Sequence, residues 1–329
     1  MSDTVRVGFI GCGGISNGHA TRLNAVPEAE IVALNDVDPD RLQAFKERHP
    51  KTAECPTFDD YRKMLRSVEM DAVEIHTPHT AHFRQIMDAL RKGLHVLTEK
   101  PMVCSVDHAW RVMAESEKQG KILMVSYQRH FQPPFRFIRE QIQSGVLGEV
   151  QFVSALQCQN WQQGQQGKWR LDPALSGGGQ LNDSGSHLVD IILWTTGLRV
   201  AEAMAYVDTL GEQVDINSAV SFKFENGAQG NISIVGNAPC WWEDLTFWGS
   251  KGAIFYRNGE IKMQCFGGKM TEPEDMPKGT DPDTNFIEAI LGRAEVEVPA
   301  TCGLRVIELT EAIWKSARNH RAWKVKQAT

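Results

Sequence analysis

Val7-Gly8-Phe9-Ile10-Gly11-Cys12-Gly13-Gly14-Ile15 decides how this chain is read. The apolar run Val5–Ile10 reads as a short buried strand, a glycine turn follows it, and a helix is predicted through Leu23. Strand, glycine turn and helix in that order give the spacing Gly11-x-Gly13-x-x-Ser16 a physical meaning. Gly11 permits a tight turn. Gly13 lets the backbone approach a pyrophosphate, which a helix N-terminus stabilises through its unpaired N–H groups and dipole. Ser16 occupies the third position, where glycine or alanine gives the closest helix–strand packing.

Outward from this stretch the rhythm continues. Strands are predicted at 31–35, 72–76, 95–98 and 122–126, with helices at 39–49, 81–92 and 106–119 between them. Apolar runs of this length between amphipathic helices indicate a parallel sheet covered on both faces, the doubly wound Rossmann pattern. Past residue 126 the pattern changes. A helix is predicted from Pro133 to Gly145, and strands then dominate: 150–157, 200–207, and two hairpins. One pairs 219–224 with 229–235 around Asn226-Gly227, the other 253–257 with 260–264 around Asn258-Gly259. Asn-Gly suits the positive φ angles of a type I′ turn. Helices are predicted around His187 and over 304–319, and the glutamine-rich run 157–166 reads as a loop. The expected fold is α/β: a Rossmann domain over 1–125, then an α+β domain over 126–329 with a mostly antiparallel sheet and a few helices.

Bulk properties narrow the function classes. The 329 residues carry a net charge of −6 and no long basic run, which argues against nucleic acid or an anionic membrane as partner. No apolar stretch approaches the roughly 20 residues of a membrane span, and no secretory leader pattern is seen. The seven cysteines form no C-x-x-C pair, so they suit reduced thiols in cytoplasm rather than a zinc ribbon or a disulfide framework. The histidines do not gather with cysteines or acids at metal spacings, so no metal site is expected.

Candidate functional residues lie where such folds place ligands. Asp36 ends the second strand, where a carboxylate binds a ribose 2′-OH and repels a 2′-phosphate; this favours NAD over NADP. It could instead cap the next turn. Arg41 lies over the adenine or is a solvated helix residue. Lys100 directly follows the strand 95–98, at the carboxyl end where ligands sit, and Pro101 biases it to an extended backbone. Such a lysine can exchange a proton with a substrate hydroxyl; the alternative is a surface ion pair with Glu99. Asp183 and His187 are expected one helical turn apart on a shared face, with Asp190 further along it. An imidazole oriented by a carboxylate transfers protons near neutral pH; the alternative is a helix cap and a core histidine. Gly177-Gly178-Gly179 before them allows close backbone approach. After Thr77-Pro78, His79 and His82 either line the cofactor cleft or start a solvated helix. Trp161 and Trp169 are candidates to stack on a sugar ring, against the usual core role of tryptophan. Gln128, just past the last Rossmann strand, joins the cofactor candidates.

Taken together these residues resemble the Gfo/Idh/MocA family (glucose–fructose oxidoreductase and inositol dehydrogenase relatives). The resemblance rests on Gly11-Cys12-Gly13-Gly14-Ile15 with His19, Asp36, Thr77-Pro78-His79 with His82, Glu99-Lys100-Pro101, Trp169-Arg170 and Asp183-x-Gly185-x-His187-x-x-Asp190. It implies that Lys100, Asp183 and His187 are the catalytic trio. By the same resemblance the second domain carries a large, open-faced sheet, and the glycine loop, Asp36, Thr77, Pro78, His79, His82, Glu99, Lys100, Trp169 and Arg170 hold NAD, with Arg41 and Gln128 as further cofactor candidates. Lys100, Trp161, Trp169, Asp183 and His187 then contact a sugar, cyclitol or related polyol. It implies homodimers or homotetramers. The expected activity is hydride transfer between nicotinamide and a secondary alcohol or ketone. An NAD-retaining lyase or glycosidase with transient oxidation, and a non-catalytic dinucleotide sensor, are the alternatives.

Overall fold

The computed structural model describes residues 4–326. They fall into two compact units: residues 4–103, 107–128 and 280–303 form the first, and residues 104–106, 129–279 and 304–326 the second. A division into two consecutive blocks at 125/126 does not anticipate the return of 280–303 to the first unit.

The first unit holds a six-stranded parallel sheet of β1 (Val5–Ile10), β2 (Ala29–Asn35), β3 (Thr57–Phe58), β4 (Ala72–Ile75), β5 (His95–Thr98) and β6 (Leu123–Val125), in the order β3-β2-β1-β4-β5-β6. Val7, Phe9, Ile10, Val73, Ile75 and Val96 are fully buried, as strands covered on both faces require. Strand order reverses between β1 and β4, which opens a crevice at their carboxyl ends. The helices Ser16–Leu23, Pro39–Arg48, His79–Arg91 and Val106–Gln119 lie close to their predicted spans. The short β3 and the helix Tyr61–Ser67 had no clear periodicity to announce them. The returning segment carries helix Pro282–Ile290, capped by Asp281, whose carboxylate accepts the Thr284 N–H at 2.9 Å.

The second unit holds an eight-stranded sheet: β7 (Val150–Asn160), β8 (Val200–Asp208), β9 (Asn217–Phe224), β10 (Gln229–Val235), β11 (Asn237–Gly249), β12 (Gly252–Arg257), β13 (Glu260–Cys265) and β14 (Trp323–Lys324). Their order is β13-β12-β11-β7-β10-β9-β8-β14, and every pair but β7–β10 is antiparallel. Alternation is clean on β9, where Val220, Phe222 and Phe224 point inward and Ala219, Ser221 and Lys223 outward.

Two expectations need correction. Asn258 and Gly259 both take positive φ (48° and 106°) as a type I′ turn demands, but at the other hairpin only Gly227 does (φ 90°). There the Asn226 Oδ1 accepts the Ala228 N–H at 3.0 Å, an Asx turn that makes a three-residue loop. The run 157–166 is no simple loop: β7 continues to Asn160 and a helical turn, Trp161–Gly164, follows. The stretch 238–244, to which no element was assigned, lies within β11, paired to β7 through a bulge between Asn237 and Trp242.

Candidate functional site

In the first unit the glycine turn leaves β1 as the sequence suggests. Gly11 has φ 95°, and a Cβ there would lie 3.0 Å from the His76 carbonyl carbon and 3.1 Å from Thr77 Cγ2, so only glycine fits. Gly13 and Gly14 differ. A Cβ on Gly14 would meet nothing within 4 Å, and one on Gly13 only the Arg41 guanidinium at 3.9 Å. No protein atom demands glycine at these two positions; the bare backbone faces open space at the head of helix Ser16–Leu23. That is the condition for a pyrophosphate to reach the N–H groups.

Asp36 organises this turn. Its Oδ2 accepts the Cys12 N–H at 2.8 Å and its Oδ1 the Asp38 N–H at 3.0 Å. Both readings of Asp36 are therefore physically present: it caps the following turn, and it stands beside the cradle. Arg41 is exposed, pairs with Asp38 at 3.3 Å and lies next to Gly13. Ile15 is exposed and Cys12 buried, its thiol pushed up by burial and by Asp36.

Lys100 leaves the carboxyl end of β5, part-buried, with its backbone N–H donating to Glu99 Oε2 at 3.2 Å. Because β1, β4 and β5 are parallel neighbours, Lys100 and the glycine turn share one edge of the sheet. His82 is fully buried. Its ring nitrogens lie 2.9 Å from the carbonyls of Pro101 and Thr77, so it ties together the loops after β5 and β4. A solvated helix start is excluded for it, and for His79, which is also buried. Thr77 donates its hydroxyl to Gln85 Oε1. Gln128 opens a 3-10 turn after β6.

In the second unit, helix Gly185–Thr196 begins after Asp183. Asp183 belongs to the preceding turn, so a shared helical face with His187 is not how it is placed, and the N-cap position is Ser184, which makes no side-chain cap hydrogen bond. Its Oδ2 accepts the Trp161 indole N–H at 2.8 Å and the Arg170 Nε–H at 2.9 Å. Trp161 is 1% exposed, in a core cluster with Val214 and Ile216 against which Leu171 packs. A ring so enclosed cannot stack on a sugar, which corrects that expectation; Trp161 instead positions Asp183. Trp169 is part-exposed, with the Arg170 guanidinium 4.4 Å from its ring centroid. His187 is part-exposed, while Ser186, Leu188, Val189 and Asp190 around it are buried. Asp190 gives its Oδ2 to His130 Nε2 at 2.7 Å.

The loop before Asp183 has an organiser that sequence reasoning missed. Buried Asp215 accepts the N–H groups of Gly179 (3.0 Å) and Leu181 (2.8 Å) and the Trp314 indole N–H (3.1 Å). A Cβ on Gly179 would collide with the Asp215 backbone, and one on Gly178 with the Trp314 ring at 2.6 Å. Burial pushes the Asp215 carboxyl up against these donors, which lower it. Asp215 stands alone between two strands in the sequence, with no spacing to mark it.

A Rossmann unit with an open glycine cradle, and a second unit presenting a part-exposed histidine near an anchored aspartate, define an oxidoreductase-type architecture. Residues 5–127 match the family model described as "Oxidoreductase family, NAD-binding Rossmann fold", and residues 135–255 match the "GFO/IDH/MocA C-terminal domain". The chain belongs to the Gfo/Idh/MocA family. It is 30% identical over 64% of its length to a 1-carboxy-3-chloro-3,4-dihydroxycyclohexa-1,5-diene dehydrogenase of Comamonas testosteroni, and spans about half (52%) of that relative. It is 27% identical to the myo-inositol 2-dehydrogenase of Thermotoga maritima, over 77% of this chain and 75% of that protein. The fold matches the WlbA dehydrogenase from Bordetella pertussis, solved in complex with NADH and UDP-GlcNAcA, with TM-score 0.85, 23% identity, and coverage of 99% and 98% of the two chains. Among the described residues no helix is long and apolar enough to cross a membrane.

Proposed function

We propose that this protein is an NAD-dependent dehydrogenase or reductase acting on a secondary alcohol or ketone of a sugar, cyclitol or related polyol. The observation that carries the reading is the position of Lys100: it is part-exposed at the carboxyl end of β5, on the sheet edge that bears the open Gly13–Gly14 backbone. Names of relatives such as the inositol dehydrogenase above supply the substrate class.

The residues present fit a dinucleotide. The Gly11–Ile15 turn would take the pyrophosphate, Asp36 the adenosine ribose, and Arg41 the adenine side. Asp36 disfavours a 2′-phosphate, which supports NAD over NADP. Thr77, Pro78, Glu99 and Gln128 in the first unit would bound the nicotinamide half, and His79 and His82 shape the loop from behind; in the second unit Trp169 and Arg170 are cofactor candidates. Bound NAD supplies the two-electron hydride acceptor or donor. The chain's own chemistry is proton transfer: Lys100 and His187 exchange the substrate hydroxyl proton, and Asp183, fixed by Trp161 and Arg170, sets the local charge. Trp169 remains the candidate for stacking on a sugar ring.

We further propose a homodimer or homotetramer in a reducing compartment such as the cytoplasm. Half-exposed Trp248 and exposed Tyr206 on the second unit's sheet, and the lack of a disulfide among the seven cysteines, support this. A spectrophotometric screen of sugars, inositols and sugar acids with NAD and NADP tests the function, with Lys100→Ala and His187→Ala as controls. Either substitution is expected to lower kcat by about 10²–10⁴-fold. Near-normal turnover in both, with NAD still bound, would overturn the roles; turnover without net NADH would indicate transient oxidation.

A further inference from the structure

Beneath the glycine cradle the first unit gathers six ionisable side chains, five of them buried, that the proposed chemistry does not use directly, apart from Glu99. His19 lies on helix Ser16–Leu23, Glu74 on β4, His76 just after it, Glu99 after β5, Arg22 on the same helix as His19, and Asp283 on helix Pro282–Ile290. His19, Glu74, Glu99, His76 and Asp283 are all buried. His19 Nδ1 is 2.7 Å from Asp283 Oδ1, and His19 Nε2 is 3.0 Å from Glu99 Oε1. Ionised carboxylates only accept, so two such contacts require both ring nitrogens to carry hydrogen: His19 is an imidazolium. Asp283 is ion-paired through its other oxygen to Arg22 Nε at 2.5 Å.

The remaining members fit that charge. His76 Nε2 is 3.3 Å from Glu74 Oε2, and the His19 and His76 rings lie 4.4 Å apart. Burial, then Asp283, push the Glu74 carboxyl well above the ordinary carboxylate range. Burial, then His19, hold His76 well below the ordinary imidazole range. Asp283 thus faces two cations, His19 and the part-exposed Arg22, and Glu99 faces His19.

The consequence reaches Lys100. Glu99 spends Oε1 on His19 and Oε2 on the Lys100 backbone N–H at 3.2 Å. We propose that His19 is a positioning residue for Lys100, acting through Glu99, and that Asp283 is the anchor holding His19 in place. This rests on the reading of Lys100 as a proton-transfer group, and it adds that the lysine's placement is set from a buried ion cluster rather than from the loop itself. Glu99 is thereby a bracket for the lysine backbone as well as a cofactor candidate.

The test compares His19→Gln and Asp283→Asn with the wild type and with Lys100→Ala. Hydrogen exchange of peptides covering 96–104 and 5–10 is read in the cofactor-free full chain, and kcat, KM, the pH profile of kcat and the NAD dissociation constant in the loaded enzyme. The expected result is exchange at 96–104 at least about tenfold faster with 5–10 unchanged. With it should come a kcat lower by about ten- to a hundredfold, a displaced pH profile, and an NAD dissociation constant within about twofold of wild type. Native exchange at 96–104 in both variants overturns the proposal, as does a uniform acceleration across both peptides, which marks mere destabilisation. If His19→Gln does not fold, the near-isosteric Asp283→Asn decides by the same readouts. Should Lys100→Ala keep full turnover, the functional reading fails, while the exchange result still decides whether His19 fixes the 99–100 backbone.

Discussion

The Trp161 indole N–H donates to Asp183 Oδ2 at 2.8 Å, from a ring that is itself part of the second unit's core. A packing residue thus fixes a site carboxylate. Trp161→Phe keeps most of the ring volume and deletes only the donor. Hydrogen bonds to charged groups contribute about 1.5–3 kcal/mol, and Arg170 still holds the same oxygen. The expected loss is about 2 kcal/mol in urea unfolding, with a measurable fall in kcat. Unchanged stability would mean that the indole N–H is dispensable to Asp183.

Asp215 and Gly179 are packed too closely for any side chain at position 179. Gly179→Ala must move either the loop leading to Asp183 or the Asp215 backbone, at an expected cost of about 3 kcal/mol. Asp215→Ala strands the Gly179, Leu181 and Trp314 donors and should cost at least as much. Thermal and denaturant unfolding check both; a loss below about 1 kcal/mol in either contradicts the clamp.

The enclosed histidine gives a pH signature. Burial disfavours the His19 imidazolium, but Asp283 and then Glu99 outweigh it and raise its pKa to about 10. A raised pKa contributes stability that is complete below the unfolded-state value of about 6.5 and is lost as pH rises through about 10. The stability difference between wild type and His19→Gln should therefore be largest near pH 6 and shrink towards pH 10. Denaturant titrations at several pH values measure it, and a difference that widened with alkali would contradict the assignment. His76, held low by burial and His19, acts in the opposite sense and weakens the fold as pH falls below about 6.5.

At the cradle, Asp36→Ser removes the acceptor from Cys12 N–H and the negative charge beside the turn. NAD binding should weaken by about tenfold or more, while NADP weakens less or improves. Quenching of tryptophan fluorescence by each nucleotide reads this directly. Equal losses for both would assign Asp36 to the turn alone.

Much of the architecture was legible because it is written locally. The glycine turn, the apolar strand runs and Asn258-Gly259 each carry their signal within a few residues, and the predicted strands and helices lie within a few residues of observed ones, whereas β3, β11, β14 and the helices Tyr61–Ser67 and Pro282–Ile290 had no predicted counterpart. What escaped was written at long range. Trp161 looks like any exposed aromatic beside a polar run until Val214 and Ile216 close over it. Asp215 and Asp283 act on residues dozens to hundreds of positions away, with no period or spacing to reveal them. The helix that carries His187 was foreseen, yet its start was set too early because Gly179–Ser184 is held as a turn by Asp215. Asn226-Gly227 misled for a subtler reason: the Asn226 side chain competes with the hairpin's own hydrogen bonding.

Because Asp283 belongs with His19 and Arg22, the order of synthesis matters. The nascent chain delivers both cations, Glu74 and Glu99 early, and their counter-ion only when most of the polypeptide has left the ribosome. Translation alone therefore cannot finish the nucleotide-binding half as an early, self-contained module; a chain stopped at residue 128 would retain the glycine turn but lack the group that neutralises its interior. Any ancestral or engineered exchange of that half between relatives has to carry the 280–303 segment with it.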